Sequence, residues 1–391
     1  MRWWELFPRP PYPAPLPNTS DFPTALTDGP LSAPGAPCGG SSHGSGSDAV
    51  PLRQRILALA GQLADHGPGE LVEVVLRHLV AINQTTREQS DWVFLDGTLS
   101  DIRDGLSVFC PHRYRRKVGV VGSARVATGD AVYQQAVDLS RQLAASGFEV
   151  ITGAGGGVME AANRGAGQDK SYGLNIHLPF EFAANRYIDP QSKLVVFRYF
   201  FTRKHFLLRE SDALVAMPGG VGTLDELFEA LTLIQTAKTV PVPVVLLAPA
   251  GDDYWQHWKR YMVKSVEERG MVSPADAQIY DQVDSVDAAV GVIRRFYRVF
   301  RSCQFLGGER LQLLLHGAPT DEQLKVMNHL FSDLLLTGAI EPFTHRSEQG
   351  VYPGLQFEFD HRCMGRLYGL IRHLNDLPIG ATSLNHPEQR Q

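Results

Sequence analysis

The residues of this 391-residue chain that are most suited to chemistry lie in the run PGGVGTLDE, residues 218–226. The apolar run Ala213–Met217 precedes it, and apolar residues at helical spacing follow it. The order is therefore a buried strand, a glycine-rich turn and a helix start. Glycine lets the backbone of such a turn approach a ligand, and the unpaired N–H groups of a helix start favour phosphate. The run predicts an anion site.

Glu226 closes this run and has two alternative roles. Thr223 and Glu226 match the capping-box pattern, in which the carboxylate reaches back to the N–H of the residue three positions earlier. Alternatively, Glu226 is catalytic, and then it needs a partner. Arg203 is a candidate because it lies in a mostly apolar stretch, where a cation is costly unless paired. The alternative for Arg203 is a side chain that extends to solvent.

Two other glycine-bearing turns follow predicted strands: GSAR at residues 122–125 and GAGGG at residues 153–157. The second departs from the dinucleotide pattern G-x-G-x-x-G, because Val158 occupies the third glycine position and no acidic residue ends the next strand. A ribose or a base is thus favoured there over NAD. Glu160 lies in the first turn of the following helix, where the helix dipole favours a carboxylate whatever its function. It is a candidate for binding ribose hydroxyls.

Strand and helix patterns alternate around these turns, which is typical of an α/β fold with a parallel sheet and helices on both faces, a Rossmann-like arrangement. Ligands bind such sheets at the carboxyl ends of the strands. The predicted strands are Val118–Val121, Phe148–Thr152, Tyr172–Leu178, Leu194–Phe197, Ala213–Met217 and Val242–Leu247. The predicted helices are Asp130–Ala145, Val158–Gly165, Phe200–Glu210, Thr223–Thr236, Tyr254–Glu268 and Val286–Phe300.

Changes in composition and pattern divide the chain into four parts. Ten of the 25 prolines lie in the first 40 residues and a Gly/Ser tract follows, so residues 1–50 are predicted to be a disordered tail. Residues 51–116 have helical spacing and predict a helical extension. Residues 117–300 form the Rossmann-like domain, and residues 301–391 form a small C-terminal α/β segment without a chemical motif.

The overall composition excludes several classes of function. The net charge of −5 and the pI near 6.2 argue against nucleic-acid binding and against a basic membrane face. The four cysteines are scattered without a C-x-x-C pair, which argues against structural zinc and fits a reducing compartment. No apolar run approaches the roughly 18 residues that a membrane span needs. We expect a cytoplasmic protein.

The motifs together are similar to those of one known family. The run PGGVGTLDE with Arg203 and Lys204 upstream, the glycine turn followed by MEAANRGA (residues 159–166), and the GSAR turn resemble the landmarks of the LOG ("lonely guy") family, the cytokinin riboside 5′-monophosphate phosphoribohydrolases formerly labelled lysine decarboxylases. The resemblance covers residues 117–300. The whole chain looks most like the longer bacterial members, which have a helical N-terminal extension and a C-terminal appendage.

The resemblance implies hydrolysis of the N-glycosidic bond of a nucleoside 5′-monophosphate to a free base and ribose 5-phosphate. Arg203 and Glu226 correspond to the catalytic pair. The implied phosphate-binding residues are Gly219, Gly220, Val221, Gly222 and Thr223. Further contacts to ribose or base are expected from Ser123, Arg125, Gly155, Gly156, Gly157, Glu160 and Lys204. The resemblance implies a homodimer or a higher homo-oligomer, and no metal or cofactor is needed.

Two other functions compete with this interpretation. A pyridoxal phosphate decarboxylase needs a Schiff-base lysine with a partner for the pyridinium nitrogen, and no lysine here has a convincing setting for that role. A non-catalytic module that binds a nucleotide or molybdenum cofactor is the more serious alternative. The presence of both Arg203 and Glu226 favours the enzyme.

Overall fold

The computed structural model describes residues 54–55, 58, 61, 69–177, 183–347 and 350–379. The disordered tail predicted for residues 1–50 lies outside the described residues, as does most of the helical pattern just after it. The described residues fall into two units, one within residues 16–96 and one from Gly97 onward.

The smaller unit is helical. Helix α1 spans Gly69–Thr85, and helix α2, Gln89–Phe109, begins in this unit and continues into the larger one. The connection between the helices is held by the hydroxyl of Thr86, which donates to Asp91 (2.6 Å) and accepts from the N–H of Glu88 (3.2 Å). The domain boundary predicted between residues 116 and 117 stays a prediction.

The larger unit is built on a seven-stranded parallel sheet with the order β4-β3-β2-β1-β5-β6-β7. Strands β1, β2, β5 and β6 are buried at every position, as expected for a parallel sheet covered on both faces. The fold class predicted from the sequence is confirmed. The strands are β1 Lys117–Val121, β2 Glu149–Thr152, β3 Ser171–Ile176, β4 Leu194–Phe197, β5 Ala213–Ala216, β6 Val244–Leu247 and β7 Tyr280–Val283.

Alternate residues of the central strands supply two separate hydrophobic cores. Val120 and Val215 belong to one cluster of buried residues, whereas Val121 and Leu214 belong to the other. Successive side chains of a strand point to opposite faces, so each face of the sheet is covered. The helices of this region are α3 Ala131–Ala145, α4 Val158–Ala166, α5 Phe200–Glu210, α6 Val221–Gln235, α7 Tyr254–Tyr261 with a π-helical turn Met262–Glu267, and α8 Val286–Phe296.

Apart from shifts of one or two residues at element ends and the π-helical turn, two features of this region differ from the sequence prediction. Strand β7 was not predicted, because its residues, Tyr-Asp-Gln-Val, are mostly polar and only half-buried at the edge of the sheet. The last helix ends at Phe296, so its predicted extension to Phe300 is wrong. The side-chain oxygen of Asn375 accepts from the N–H groups of Val299 (2.7 Å) and Phe300 (3.1 Å). These N–H groups therefore donate to Asn375 and not to carbonyls of the preceding helix. Phe300 is the first residue of the next strand.

A four-stranded antiparallel sheet with the order β10-β11-β9-β8 follows. Several of its buried apolar side chains, among them Leu313 and Leu355, belong to the same buried cluster as Leu246 of the parallel sheet. The boundary at residue 300 stays a prediction, since the two sheets share a core. The elements are β8 Phe300–Leu306, β9 Arg310–Leu315, α9 Asp321–Leu330, β10 Leu335–Ser347, β11 Gly350–Phe359 and α10 Met364–Asp376. Within the described residues, no helix has both the length and the apolar character required to cross a bilayer.

Candidate functional site

The three glycine-bearing turns meet at the carboxyl ends of β1, β2 and β5. Strand order reverses between β1 and β5, and ligands bind parallel sheets at such a point. The N–H of Ser123 donates to the carbonyl of Pro218 (3.1 Å), and the N–H of Val158 donates to the carbonyl of Ser123 (2.9 Å). These two bonds join the turn after β1 to the turn after β5 and to the start of α4. The convergence predicted from the sequence is therefore present.

Gly219 lies at the most tightly packed point of the turn after β5. A Cβ built on this residue would be 2.2 Å from the hydroxyl oxygen of Thr223 and 2.9 Å from the nitrogen of Ser123. The carbonyl of Gly219 accepts from the hydroxyl of Tyr254 (2.7 Å), a residue of α7 that sequence reasoning missed. Nothing lies within 4 Å of a Cβ built on Gly220. Only glycine fits at position 219, while position 220 faces open space.

Helix α6 begins at Val221 with Gly220 as its N-cap, and no side chain caps it. Its first helical hydrogen bond runs from the N–H of Leu224 to the carbonyl of Gly220 (3.2 Å). The N–H groups of Val221, Gly222 and Thr223 therefore precede the helical ladder and point out of the helix start. The Val221 side chain is 86% exposed, so it leaves the turn open. The start of α6 thus offers three backbone donors and a positive helix end beside an open turn.

The capping-box alternative for Glu226 is wrong. Thr223 is the third residue of α6 rather than its N-cap, and its side chain is buried beneath Gly219. The physical reason is that the glycine turn already supplies the helix start at Gly220. The Glu226 carboxylate is consequently available for another partner.

That partner is Arg203. The Nη2 atom of Arg203 lies 2.9 Å from Oε1 of Glu226, and the two side chains are only 15% and 13% exposed. The alternative in which Arg203 extends to solvent is therefore wrong. A Cβ built on Gly153 would be 3.6 Å from Nη1 of Arg203. The guanidinium thus lies between Glu226 and the turn after β2.

Burial sets the protonation behaviour of Glu226. It raises the pKa of this carboxyl above its usual range, while the positive charge of Arg203 opposes the increase. Asp225 and Glu229 add to the increase, and Lys204 opposes it. A carboxyl whose pKa moves toward neutrality is suited to proton transfer.

Lys204 faces the same helix as Arg203 but contacts other carboxylates. Its amine lies 3.2 Å from Asp225 and 3.1 Å from Glu229. These ion pairs tie α5 to α6 beside the Arg203–Glu226 pair. Glu229 is joined to the site through Lys204.

The turn after β2 has a constrained backbone. Gly157 has a φ of +60°, and a Cβ there would be 2.3 Å from the carbonyl oxygen of Ser123. Ala154 also has a positive φ, of 63°. Gly153 and Gly155 are partly exposed, and Gly156 is exposed. The backbone therefore approaches the turn after β1 closely and presents little side-chain bulk.

Side chains not predicted from the sequence hold this turn. Asn185 donates from Nδ2 to the carbonyl of Gly155 (3.0 Å) and to Oδ1 of Asn163 (2.9 Å), and Asn163 also accepts from Thr152 (2.7 Å). Asn163 lies in the segment MEAANRGA, so the motif found in the sequence already included it. Asn185 lies outside every motif, and only its position in the folded chain identifies it.

The remaining predicted residues lie on the rim. Glu160 is half-buried in the first turn of α4, at the helix start that follows the glycine turn. Arg125 is exposed, and its N–H donates to the hydroxyl oxygen of Ser123 (3.1 Å). In the described part of the chain, no three His, Cys, Asp or Glu side chains are grouped as a metal site.

Comparison with known proteins adds three findings. Residues 159–293 match the family described as "Possible lysine decarboxylase". The chain is 34% identical over 173 residues to a probable cytokinin riboside 5′-monophosphate phosphoribohydrolase of Oryza sativa subsp. japonica, covering 43% of this chain and 66% of the relative. It is 35% identical over 100 residues to the cytokinin riboside 5′-monophosphate phosphoribohydrolase of Mycobacterium tuberculosis, covering 25% of this chain and 50% of the relative. The chain thus spans between one half and just under two thirds of these curated relatives.

A solved structure is also similar. The molybdenum cofactor binding protein from Rippkaea orientalis shares 22% identity with this chain at a TM-score of 0.34. The similarity covers 46% of this chain and 96% of that protein.

Proposed function

Since the chain belongs to the LOG family, we propose that it hydrolyses the N-glycosidic bond of a nucleoside 5′-monophosphate and releases a free base and ribose 5-phosphate. The observation that carries the proposal is the pair of Arg203 and Glu226. The two groups are 2.9 Å apart and largely buried, and they lie beside a glycine turn and near a helix start that are both open to a ligand.

The phosphate is assigned to the start of α6. Free N–H groups and the positive end of the helix dipole favour an anion there. Gly220 and Gly222 add no side chain that would keep the anion away, since a Cβ on either residue would face open space. Phosphate binding away from the reacting carbon orients the substrate and contributes to the rate by proximity.

The base and ribose are assigned to the space between this helix start and the turn after β2. Departure of the base leaves positive charge on the ribose, in an oxocarbenium-like state that a nearby carboxylate stabilises. Glu226 serves this role or activates the attacking water as a general base. Arg203 balances the carboxylate and orients the substrate through its planar guanidinium.

The description "Possible lysine decarboxylase" fits these residues less well. Decarboxylation with pyridoxal phosphate needs a lysine free to form a Schiff base. Lys204, the lysine beside the catalytic pair, is held by the carboxylates of Asp225 and Glu229. The two carboxylates favour its protonated form, which is not a nucleophile.

The proposal is tested with the purified full-length chain. AMP, the other common nucleoside 5′-monophosphates and a prenylated AMP are incubated with the protein, and the free base is measured by chromatography. We expect base release from at least one monophosphate, and none from the nucleoside without its phosphate. Release of no base from any of them, together with tight nucleotide binding, would instead support a non-catalytic binding module.

A further inference from the structure

Helix α2 packs against the helix that carries Arg203 through an unusual face. Its buried residues are Gly97, Asp101, Gly105 and Phe109, which are spaced four apart and so share one side of the helix. The apolar residues Leu99 and Ile102 lie on another side and are exposed. The buried side of α2 is thus formed by two glycines, a carboxylate and one aromatic ring.

The two glycines allow close approach. A Cβ on Gly97 would be 2.8 Å from the hydroxyl oxygen of Tyr199, and a Cβ on Gly105 would be 2.5 Å from ring carbons of Phe206. Tyr199 immediately precedes α5, and Phe206 lies within it. The backbone of α2 therefore lies directly against the first turns of α5.

Asp101 lies between these glycines, and only 2% of it is exposed. Its carboxylate accepts from the N–H of Arg198 (3.0 Å), from the N–H of Tyr199 (3.1 Å) and from the hydroxyl of Thr202. The N-cap of α5, Tyr199, provides no side-chain cap of its own. The start of α5 is thus capped by a carboxylate from a helix about one hundred residues earlier in the chain.

Arg203 is the fourth residue of α5 and follows Thr202 directly. A cap fixes both the first residue of a helix and the rotation of its first turn. We infer that Asp101 is a positioning residue for the proposed hydrolysis, because it fixes the turn of α5 that places Arg203 between Glu226 and the glycine turn after β2. The inference rests on the proposed function. It also makes α2, which precedes the parallel sheet in the chain, a part of the active site.

Asp101 contacts neither the phosphate-binding helix start nor the turn after β1. Its loss therefore displaces Arg203 and leaves the phosphate site in place. A displacement of about 1 Å in a catalytic group can lower a rate by about a hundredfold. We expect a fall in kcat with little change in KM. Loss of folded protein would also lower the apparent kcat at constant KM, so kcat is referred to the folded fraction measured by circular dichroism. A displaced Arg203 should in addition move the acidic limb of the kcat/KM profile to higher pH, because its charge lowers the pKa of Glu226.

The test measures base release from AMP by Asp101→Ala, Asp101→Asn and a matched control, Asp104→Ala. Asp104 is on the same helix, but its side chain is 45% exposed and pairs with Arg103. We expect at least a tenfold fall in kcat for Asp101→Ala, with KM within about threefold of wild type. Asp101→Asn should recover part of the activity, since its amide oxygen still accepts from backbone N–H groups. Asp104→Ala should match the wild type.

Thr202→Val provides a second measurement if Asp101→Ala does not fold. It removes one hydrogen bond to Asp101 with little change of shape, and we expect at least a threefold fall in kcat, whereas Thr202→Ser retains the hydroxyl and the rate. A folded Asp101→Ala with kcat within twofold of wild type overturns the inference, as does an unaffected Thr202→Val. A wild-type chain that releases no base refutes the proposed function and this inference together. An active wild type with unaffected variants refutes this inference alone.

Discussion

Glu226→Gln tests the centre of the proposed mechanism, because it removes the charge of the carboxylate and nearly preserves its shape. Two unit charges about 4 Å apart interact by about 4 kcal/mol at an effective dielectric constant of about 20, which suits a largely buried site such as this. If Glu226 stabilises the developing positive charge on the ribose, its neutralisation costs about that amount. Because about 1.4 kcal/mol corresponds to a factor of ten in rate, kcat should fall by about a thousandfold.

The stability of the protein should change much less. The amide oxygen still accepts from Nη2 of Arg203, and the substitution removes a carboxylate that burial disfavours in its charged form. Removing one charge of a buried ion pair is costly where the remaining charge loses its partner, but Arg203 here keeps the hydrogen bond to the amide oxygen and part of its surface in solvent. We expect the free energy of unfolding to change by no more than about 1 kcal/mol, measured by chemical denaturation.

The assay is single-turnover and steady-state release of base from AMP, with thermal unfolding measured on the same preparations. Glu229→Gln is the matched control, because Glu229 lies one turn later on the same helix and contacts Lys204 rather than Arg203. Its kcat should stay within about threefold of wild type. A Glu226→Gln variant that retains more than about one tenth of the wild-type kcat would refute the assignment of Glu226 as the catalytic carboxylate.

Two other substitutions examine the neighbours of Glu226. Arg203→Gln removes the charge that lowers the pKa of Glu226, so the acidic limb of the pH profile of kcat/KM should move to higher pH; an unchanged limb, or one at lower pH, would show that another group titrates. Gly219→Ala places a Cβ 2.2 Å from the buried Thr223 hydroxyl and should lower the free energy of unfolding by about 1–3 kcal/mol. A Cβ at position 220 faces open space, so Gly220→Ala should change the free energy of unfolding by less than about 0.5 kcal/mol. Both variants are measured by denaturant titration, and an equal loss of stability in the two would contradict the packing argument.

The parallel sheet was predictable because its strands are apolar and the alternation with helices is regular. Val118–Val121 and Ala213–Met217 needed no knowledge of their neighbours to be assigned. Strand β7 lacked this signal, since an edge strand is half-exposed and can carry polar residues. The error at Phe300 also has a non-local origin, because the N–H groups of Val299 and Phe300 donate to the side-chain oxygen of Asn375, which is 75 residues from Phe300 in the chain.

The capping-box error shows the limit of a local pattern. Thr223 and Glu226 have the correct spacing for a box, but the glycine turn places the N-cap at Gly220, three residues ahead of Thr223, where the pattern needs it. The spacing of Thr223 and Glu226 is the same in both cases. The packing of Thr223 beneath Gly219 decides between them.

The sequence by itself determined the parallel α/β fold and the glycine turns, and it indicated the two residues that we propose as the catalytic pair. These depend on short-range properties: the periodicity of apolar residues, the absence of a Cβ and the order of the motifs. The tertiary structure alone decided that Glu226 pairs with Arg203 and that Asp101 caps the helix of Arg203. Both are contacts between residues 23 or more positions apart, and the free energy of such a contact depends on burial and distance, which no local pattern encodes.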